Sequence, residues 1–155
     1  MGIPIGDGAI YRTALTHRSF AFEQPVPIDH NERLEFLGDA ILGAVITDFI
    51  FTTYPDLAEG EMARLRASVV NTHALAELAR ELDLGEEIRL GKGEEASGGR
   101  DKASLLADTF EAVIGALYVD RGIEHTTDIL IPLFEHRIRE RVEAGGRYDA
   151  KTALQ

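Results

Sequence analysis

The stretch ERLEFLGDAILGAVITDFIFTT, Glu32–Thr53, decides how this chain folds. Leu34, Phe36, Leu37, Ile41, Leu42, Val45, Ile46, Phe49 and Ile50 recur at helical spacing and cover most of the helix circumference. A helix apolar nearly all round belongs in the interior, so the segment is expected to be a buried central helix. Asp29 or Asn31 can cap its start, and Pro55 closes it. The same segment carries Glu32, Glu35 and Asp39 at positions i, i+3 and i+7. At about 100° per residue these acids fall in a narrow sector of one face.

Outward from this helix the pattern stays helical. A short helix is expected over Ala9–Arg18, followed by a loop at Pro25-Val26-Pro27. A third helix runs from about Glu59 to Val70. Asn71 or Thr72 caps a fourth, with Leu75, Leu78 and Leu82 on its inner face. Gly91–Gly99 reads as a Gly/Lys/Glu/Ser loop. A fifth helix covers about Ala103–Val119, a sixth about Glu124–Val142, and Gly145-Gly146 reads as a linker. Strand-like alternation and internal repeats are both lacking, so the fold class is all-α.

The fifth helix repeats the acidic device. Asp108 and Glu111 stand at i and i+3 among Leu105, Leu106, Phe110, Val113 and Ile114. Like charges at that spacing repel by a few tenths of a kcal/mol when exposed and by more when buried. Two such stripes on the two most apolar helices call for a cation. Gly43 follows Asp39 by four residues and Gly115 follows Glu111 by four. A helical glycine costs about 1 kcal/mol relative to alanine, and close approach of the two backbones would offset it. If the stripes face each other, Glu35, Asp39, Asp108 and Glu111 form one four-carboxylate cluster. All-oxygen ligation favours Mg²⁺ or Mn²⁺, and such sites suit phosphoryl chemistry with an activated water. The alternative is that arginines such as Arg33, Arg64 and Arg66 neutralise each stripe separately.

Composition bounds the remaining classes. The 155 residues are 45% hydrophobic and 28% charged, which suits one soluble globular domain. No cysteine is present, so disulfides, thiolate metal sites and thiol catalysis are excluded; a reducing cytoplasm fits this. No stretch reaches the roughly 18 apolar residues of a membrane span. The net charge of −11 argues against a generally basic nucleic-acid surface, but bound divalent cations reverse the field locally. Arg64, Arg66, Lys92, Arg100 and Lys102 are candidates for phosphate contacts, with solvated surface charge as the plain alternative. His17, His73 and His125 are too scattered for a histidine metal site; His17 suits a packed or helix-capping role.

The nine residues Asn31-Glu-Arg-Leu-Glu-Phe-Leu-Gly-Asp39 resemble the signature of the ribonuclease III family at every position. Leu15-Thr-His-Arg-Ser19, Glu59-Gly60 with Arg64-Leu-Arg-Ala67, the loop Gly91-Lys-Gly-Glu-Glu95 with Ser97-Gly-Gly99, and Leu106-Ala-Asp-Thr-Phe-Glu111 with Ile114-Gly115 agree in order and spacing. The resemblance implies an all-α endonuclease domain acting as a homodimer on double-stranded RNA in the cytoplasm, in rRNA and other RNA processing. It implies a divalent-metal mechanism leaving 5′-phosphate and 3′-hydroxyl ends. Glu35, Asp39, Asp108 and Glu111 match the family's catalytic metal-binding acids, and Glu32 and Glu59 match supporting acids. Phe36 matches an aromatic at the dimer interface. Residues 1–144 are then the catalytic domain, and 145–155 a linker with the opening of a truncated double-stranded-RNA-binding domain. The segment before Leu15 is shorter than in the family.

Two rivals stand beside this reading. A non-catalytic scaffold of the same family should have lost one or more of the four acids, and all are present. A helical di-metal oxidase would pair glutamates with histidines three residues on, and none of these acids has such a partner.

Overall fold

The protein is described from a computed structural model over residues 8–155. The described residues form the helices α1 (Gly8–Ala14), α2 (Arg18–Phe22), α3 (Glu32–Thr53), α4 (Glu59–Val69), α5 (Thr72–Glu81), α6 (Leu84–Glu87), α7 (Lys92–Ala96) and α8 (Ala103–Ala153). A 3-10 turn over Gly99–Asp101 precedes α8. The one extended pairing among the described residues is a single bridge between Thr16 and Arg89.

The core forms where α3 and the first part of α8 cross, with α5 packed alongside. Leu42, Val45, Ile46 and Ile50 of α3 meet Leu106, Phe110 and Ile114 of α8, and Phe134 and Ile138 from farther along α8 close the cluster. α5 shows why a helix with one apolar stripe needs no sequence beyond that stripe. Leu75, Leu78 and Ala79 are buried, its opposite face is polar, and the Asn71 side chain accepts the Ala74 N–H to start it.

Several elements differ from the sequence expectation. The first helix is two helices, because Leu15–His17 turn extended to pair with Arg89. Arg89 N–H donates to the Leu15 carbonyl at 2.7 Å, and His17 N–H donates to the Arg89 carbonyl at 3.0 Å. The His17 ring then accepts the Ser19 N–H and caps α2. The expected loop after Gly91 contains the single helical turns of α7. Asn31 holds the N-cap position of α3, but its side chain makes no capping bond.

The expected fifth and sixth helices are both present within α8: Gly122, with φ of 81° and ψ of 177°, leaves helical geometry between them in a conformation readily open only to glycine. The helix also continues through Gly145 and Gly146 to Ala153, so the stretch read as a linker is helical in its backbone. At the kink, the Tyr11 hydroxyl donates to Asp120 at 2.8 Å and Arg121 Nε donates to the same carboxylate at 3.1 Å, fastening α1 to this corner.

The central helix is not buried all round. Phe36 is 82% exposed and Phe51 65% exposed, and Ala40, Ala44 and Thr47 are exposed between them. Helical spacing puts these five on one face. The apolar surface of α3 therefore exceeds what the other described residues cover.

Candidate active site

The site is built at the crossing of α3 and α8, and two glycines set the spacing. A methyl group added at Gly38 would lie 1.7 Å from the Glu111 carbonyl oxygen, and one at Gly115 would lie 2.2 Å from the Leu34 carbonyl oxygen. No side chain fits at either point, so backbone rests on backbone. Gly115 was expected in this role; Gly43 was not the right partner, since a methyl there meets open space. The distinction was available from the helical wheel. Gly38 shares a stripe with Leu42 and Val45, which face the core, whereas Gly43 shares one with the exposed Thr47.

This contact brings the acids together. One carboxylate oxygen each from Glu35, Asp108 and Glu111 lie within 4.8 Å of one another, all three residues half-buried. Asp39 is exposed at the rim, close enough for its charge to act on Glu111 and Glu35. The crossing therefore brings Glu35, Asp108 and Glu111 within reach of one ion and leaves Asp39 at the edge. Glu32 stands just outside, held by Arg18 Nη1 at 3.1 Å. Glu59 does not join the cluster; it lies in the first turn of α4, lining a shallow groove with Thr47, Phe51 and Arg66.

The electrostatics are those of an uncompensated cluster. Burial, with the charges of Asp39, Asp108 and Glu35, pushes the Glu111 carboxyl up to about 8 from the usual 4.5. Burial, with Asp108 and Glu32 nearby, pushes Glu35 up to about 7. Asp108 is also raised by burial, tempered by its hydrogen bond with Glu35 and by His17. Burial and mutual repulsion both favour the protonated form of these carboxyls when no cation is bound. The donor set suits a hard divalent ion: oxygens only, from several carboxylates, with no histidine or sulfur. His17 sits close enough to Asp108 to influence it, but its Nδ1 is engaged with Ser19 Oγ at 2.7 Å and the Ser19 N–H.

Four of the five arginines and lysines expected near phosphate divide into two kinds. Arg100 chelates the loop around it: Nη1 donates to the carbonyls of Gly85, Glu86 and Ile88, and Nε and Nη2 bind Glu95. Lys102 binds Glu94 at 2.6 Å and Ser97. Arg66 donates once, to Thr47 Oγ1 at 2.8 Å, and Arg64 lies exposed beside a groove between α4 and the end of α8. Among the described residues no helix is long and apolar enough to cross a membrane.

Known proteins resemble this chain in sequence and fold. The sequence profile of the Ribonuclease-III-like family matches residues 7–136. Ribonuclease 3 of Thermobifida fusca is 52% identical over the whole chain, which spans 64% of that protein. Ribonuclease 3 of Streptomyces coelicolor is 54% identical over 96% of the chain, which spans 54% of its length. Among solved structures, the nuclease domain of ribonuclease III from Campylobacter jejuni, studied for flexibility in a region involved in dimer formation, superposes with a TM-score of 0.79 at 39% identity, covering 85% of this chain and 89% of that one. Dicer from Pichia stipitis superposes with a TM-score of 0.69 at 27% identity over 90% of this chain and 60% of its own. The all-helical fold agrees with these matches, and the chain belongs to the ribonuclease-III-like family.

Proposed function

We propose that this chain is the catalytic domain of a double-strand-specific endoribonuclease that acts in the cytoplasm with Mg²⁺, for which Mn²⁺ can substitute. The observation that carries the reading is the half-buried carboxylate cluster of Glu35, Asp108 and Glu111, with Asp39 at its rim, in a family named for ribonuclease activity. Four acids with no basic partner among them are destabilising unless a cation binds. Glu35, Asp39, Asp108 and Glu111 would hold it. When bound, the divalent ion supplies Lewis acidity toward a phosphodiester and a water nucleophile at neutral pH.

The remaining chemistry follows from the absence of a side-chain nucleophile. Water adds to phosphorus, the bond from phosphorus to the 3′-oxygen breaks, and a proton passes to that oxygen. The products carry 5′-phosphate and 3′-hydroxyl ends. Glu35 and Glu111, raised by burial and neighbouring carboxylates to about 7 and about 8, would hold a divalent ion as carboxylates, so binding would release protons. Glu32 supports the cluster at its outer edge, and Glu59 lines the groove beside the α3 face. Arg64 and Arg66 have free donors for duplex phosphates. Arg100 and Lys102 shape the loop before α8 and contribute to RNA binding only through that shape.

The exposed stripe of α3 supports a homodimer. Phe36, Ala40, Ala44, Thr47 and Phe51 lie on one face, with a shallow hollow around Gly43 and Ala44. A two-fold interface sets identical surfaces against each other, so Phe36 of each copy would enter its partner. Two clusters would then face the two antiparallel strands, leaving a short 3′ overhang. Processing of rRNA precursors and other structured RNAs is the role such cutting serves. The stretch 145–155 leads toward a double-stranded-RNA-binding domain in this reading.

The deciding experiment uses an RNA duplex labelled on both strands. Incubation with Mg²⁺ should yield paired cuts with 5′-phosphate ends, and excess chelator should stop them. Undiminished cleavage in chelator, or none under any metal, overturns the proposal.

A further inference from the structure

Half of the chain's sixteen lysines and arginines are held in salt bridges with carboxylates. Arg12 and Arg89 are not, and both line one open hollow of about 500 Å³, together with Thr13, Thr16, Ile28 and Asp29. The backbone of Arg89 is fixed by the bridge to Thr16. Its guanidinium lies over the Phe20 ring at 4.3 Å and makes one long bond, 3.4 Å, to Thr16 Oγ1. A stacked guanidinium keeps its in-plane donors available, in the fork that matches phosphate oxygens.

Arg12 makes no side-chain hydrogen bond among the described residues; only its carbonyl is engaged, by Thr16 Oγ1 at 2.6 Å. The Thr13 hydroxyl likewise donates to a helix carbonyl. The free donors of the hollow are therefore the two guanidinium groups. Asp29 is its single acid among the described residues, so two cationic side chains face one carboxylate there in a chain of net charge −11. Two cations facing one cavity repel as the acids of the α3–α8 crossing do, and an anion relieves them.

We propose that Arg12 and Arg89 form a phosphate-binding site, and that its ligand is a backbone phosphate of the duplex outside the position being cut. The assignment to RNA rests on the nuclease reading above; the phosphate chemistry does not. The hollow is tied to the acid cluster through the backbone: Asn31 N–H donates to the Thr16 carbonyl at 2.9 Å, and Glu32 and Glu35 follow within the first turn of α3. Contacts of this kind position a duplex without reading its sequence.

The test uses Glu111→Gln as background, so that binding is measured without cleavage. Duplex affinity is followed against salt, and inorganic phosphate is titrated separately while the backbone amides of Thr13, Thr16 and Arg89 are watched by NMR. Arg12→Gln and Arg89→Gln should each weaken RNA binding and lower the salt slope by about 1. Asp29→Asn should tighten it. Arg12 is exposed and unbonded, so its variant keeps the test decisive should Arg89→Gln disturb folding; Arg89→Lys, which keeps charge but loses the stacked fork, should recover only part of the affinity. Phosphate shifts with an unchanged RNA slope would show a free-phosphate site and overturn the RNA assignment. If neither phosphate nor RNA senses the arginines, the site does not exist. If the parent protein binds no duplex at all, the nuclease reading fails, and the phosphate titration alone still decides the hollow.

Discussion

The crossing of α3 and α8 and the loop from Gly91 to Lys102 are both rich in charge, and they treat it in opposite ways. In the loop nearly every charge finds an opposite one nearby: Arg100 with Glu95 at 2.6 Å, Lys102 with Glu94 at 2.6 Å, and Asp101 with Arg80 at 3.1 Å. Its carboxylates are accordingly held below their usual range, Glu94 by Lys102 and Glu95 by Arg100. At the crossing the acids face chiefly one another, with no lysine or arginine among the described residues paired to Glu35, Asp108 or Glu111, and Glu35 and Glu111 are raised to about 7 and about 8. Charges satisfied inside the chain build structure. Charges left unsatisfied on two packed helices are available for something from outside.

The comparison breaks most completely at the glycines. Gly38→Ala would drive a methyl into the Glu111 carbonyl and should cost more than about 3 kcal/mol in denaturant unfolding. Gly43→Ala meets open space and should be neutral or stabilising by up to about 1 kcal/mol in the isolated fold. Equal stability for the two variants would show that backbone contact does not set the crossing.

Next in size is Glu111→Gln. It keeps shape, removes one charge, and should leave the fold intact while turnover on duplex RNA falls by at least about a hundredfold. Loss of a group that only supports a metal ligand costs roughly 10–100-fold, so a smaller fall would demote Glu111 to that rank. Steady-state cleavage at saturating Mg²⁺ makes the measurement.

Arg100→Gln tests the loop. Three carbonyls lose their donor, and the expected loss is about 1–3 kcal/mol of stability. The salt dependence of RNA binding should stay unchanged. Lys102→Gln, which breaks an exposed pair, should cost less than about 1 kcal/mol. A changed salt slope for Arg100→Gln would place this loop on the RNA after all.

The smallest expected effect is a pH dependence of the metal-free protein. Glu35 and Glu111 have folded-state pKa values above their usual 4.5, so between about pH 5 and 8 the folded state binds more protons than the unfolded. Stability therefore falls as pH rises through that window and levels off above it. Melting temperatures in chelator should show this decline, and Glu111→Gln should flatten it. Mg²⁺ should restore stability most at the alkaline end. A melting temperature that rose steadily from pH 5 to 8 would contradict the repulsion.

Period and residue type determined much of this protein without help from the tertiary structure. The bounds of α3, the amphipathic stripe of α5 and the pairing of acids at i and i+3 are local properties of a helix, and local spacing reads them directly. The four acids were legible because carboxylates on apolar helices are anomalous wherever the helices end up. What spacing could not decide was which backbone touches which. Gly43 and Gly38 are the same residue on the same helix, and only the crossing tells them apart. Leu15–His17 leave the helix because Arg89, more than seventy residues away, offers a backbone partner that no local propensity contains. Arg100 and Lys102 look like any exposed cations until the fold supplies Glu95, Glu94 and three carbonyls. Arg12 and Arg89 share a cavity only because α1 and the segment before α7 meet. Interactions within a few residues are written in the sequence; those across long separations exist only once loop closure has been overcome by packing, and the tertiary structure alone decides them.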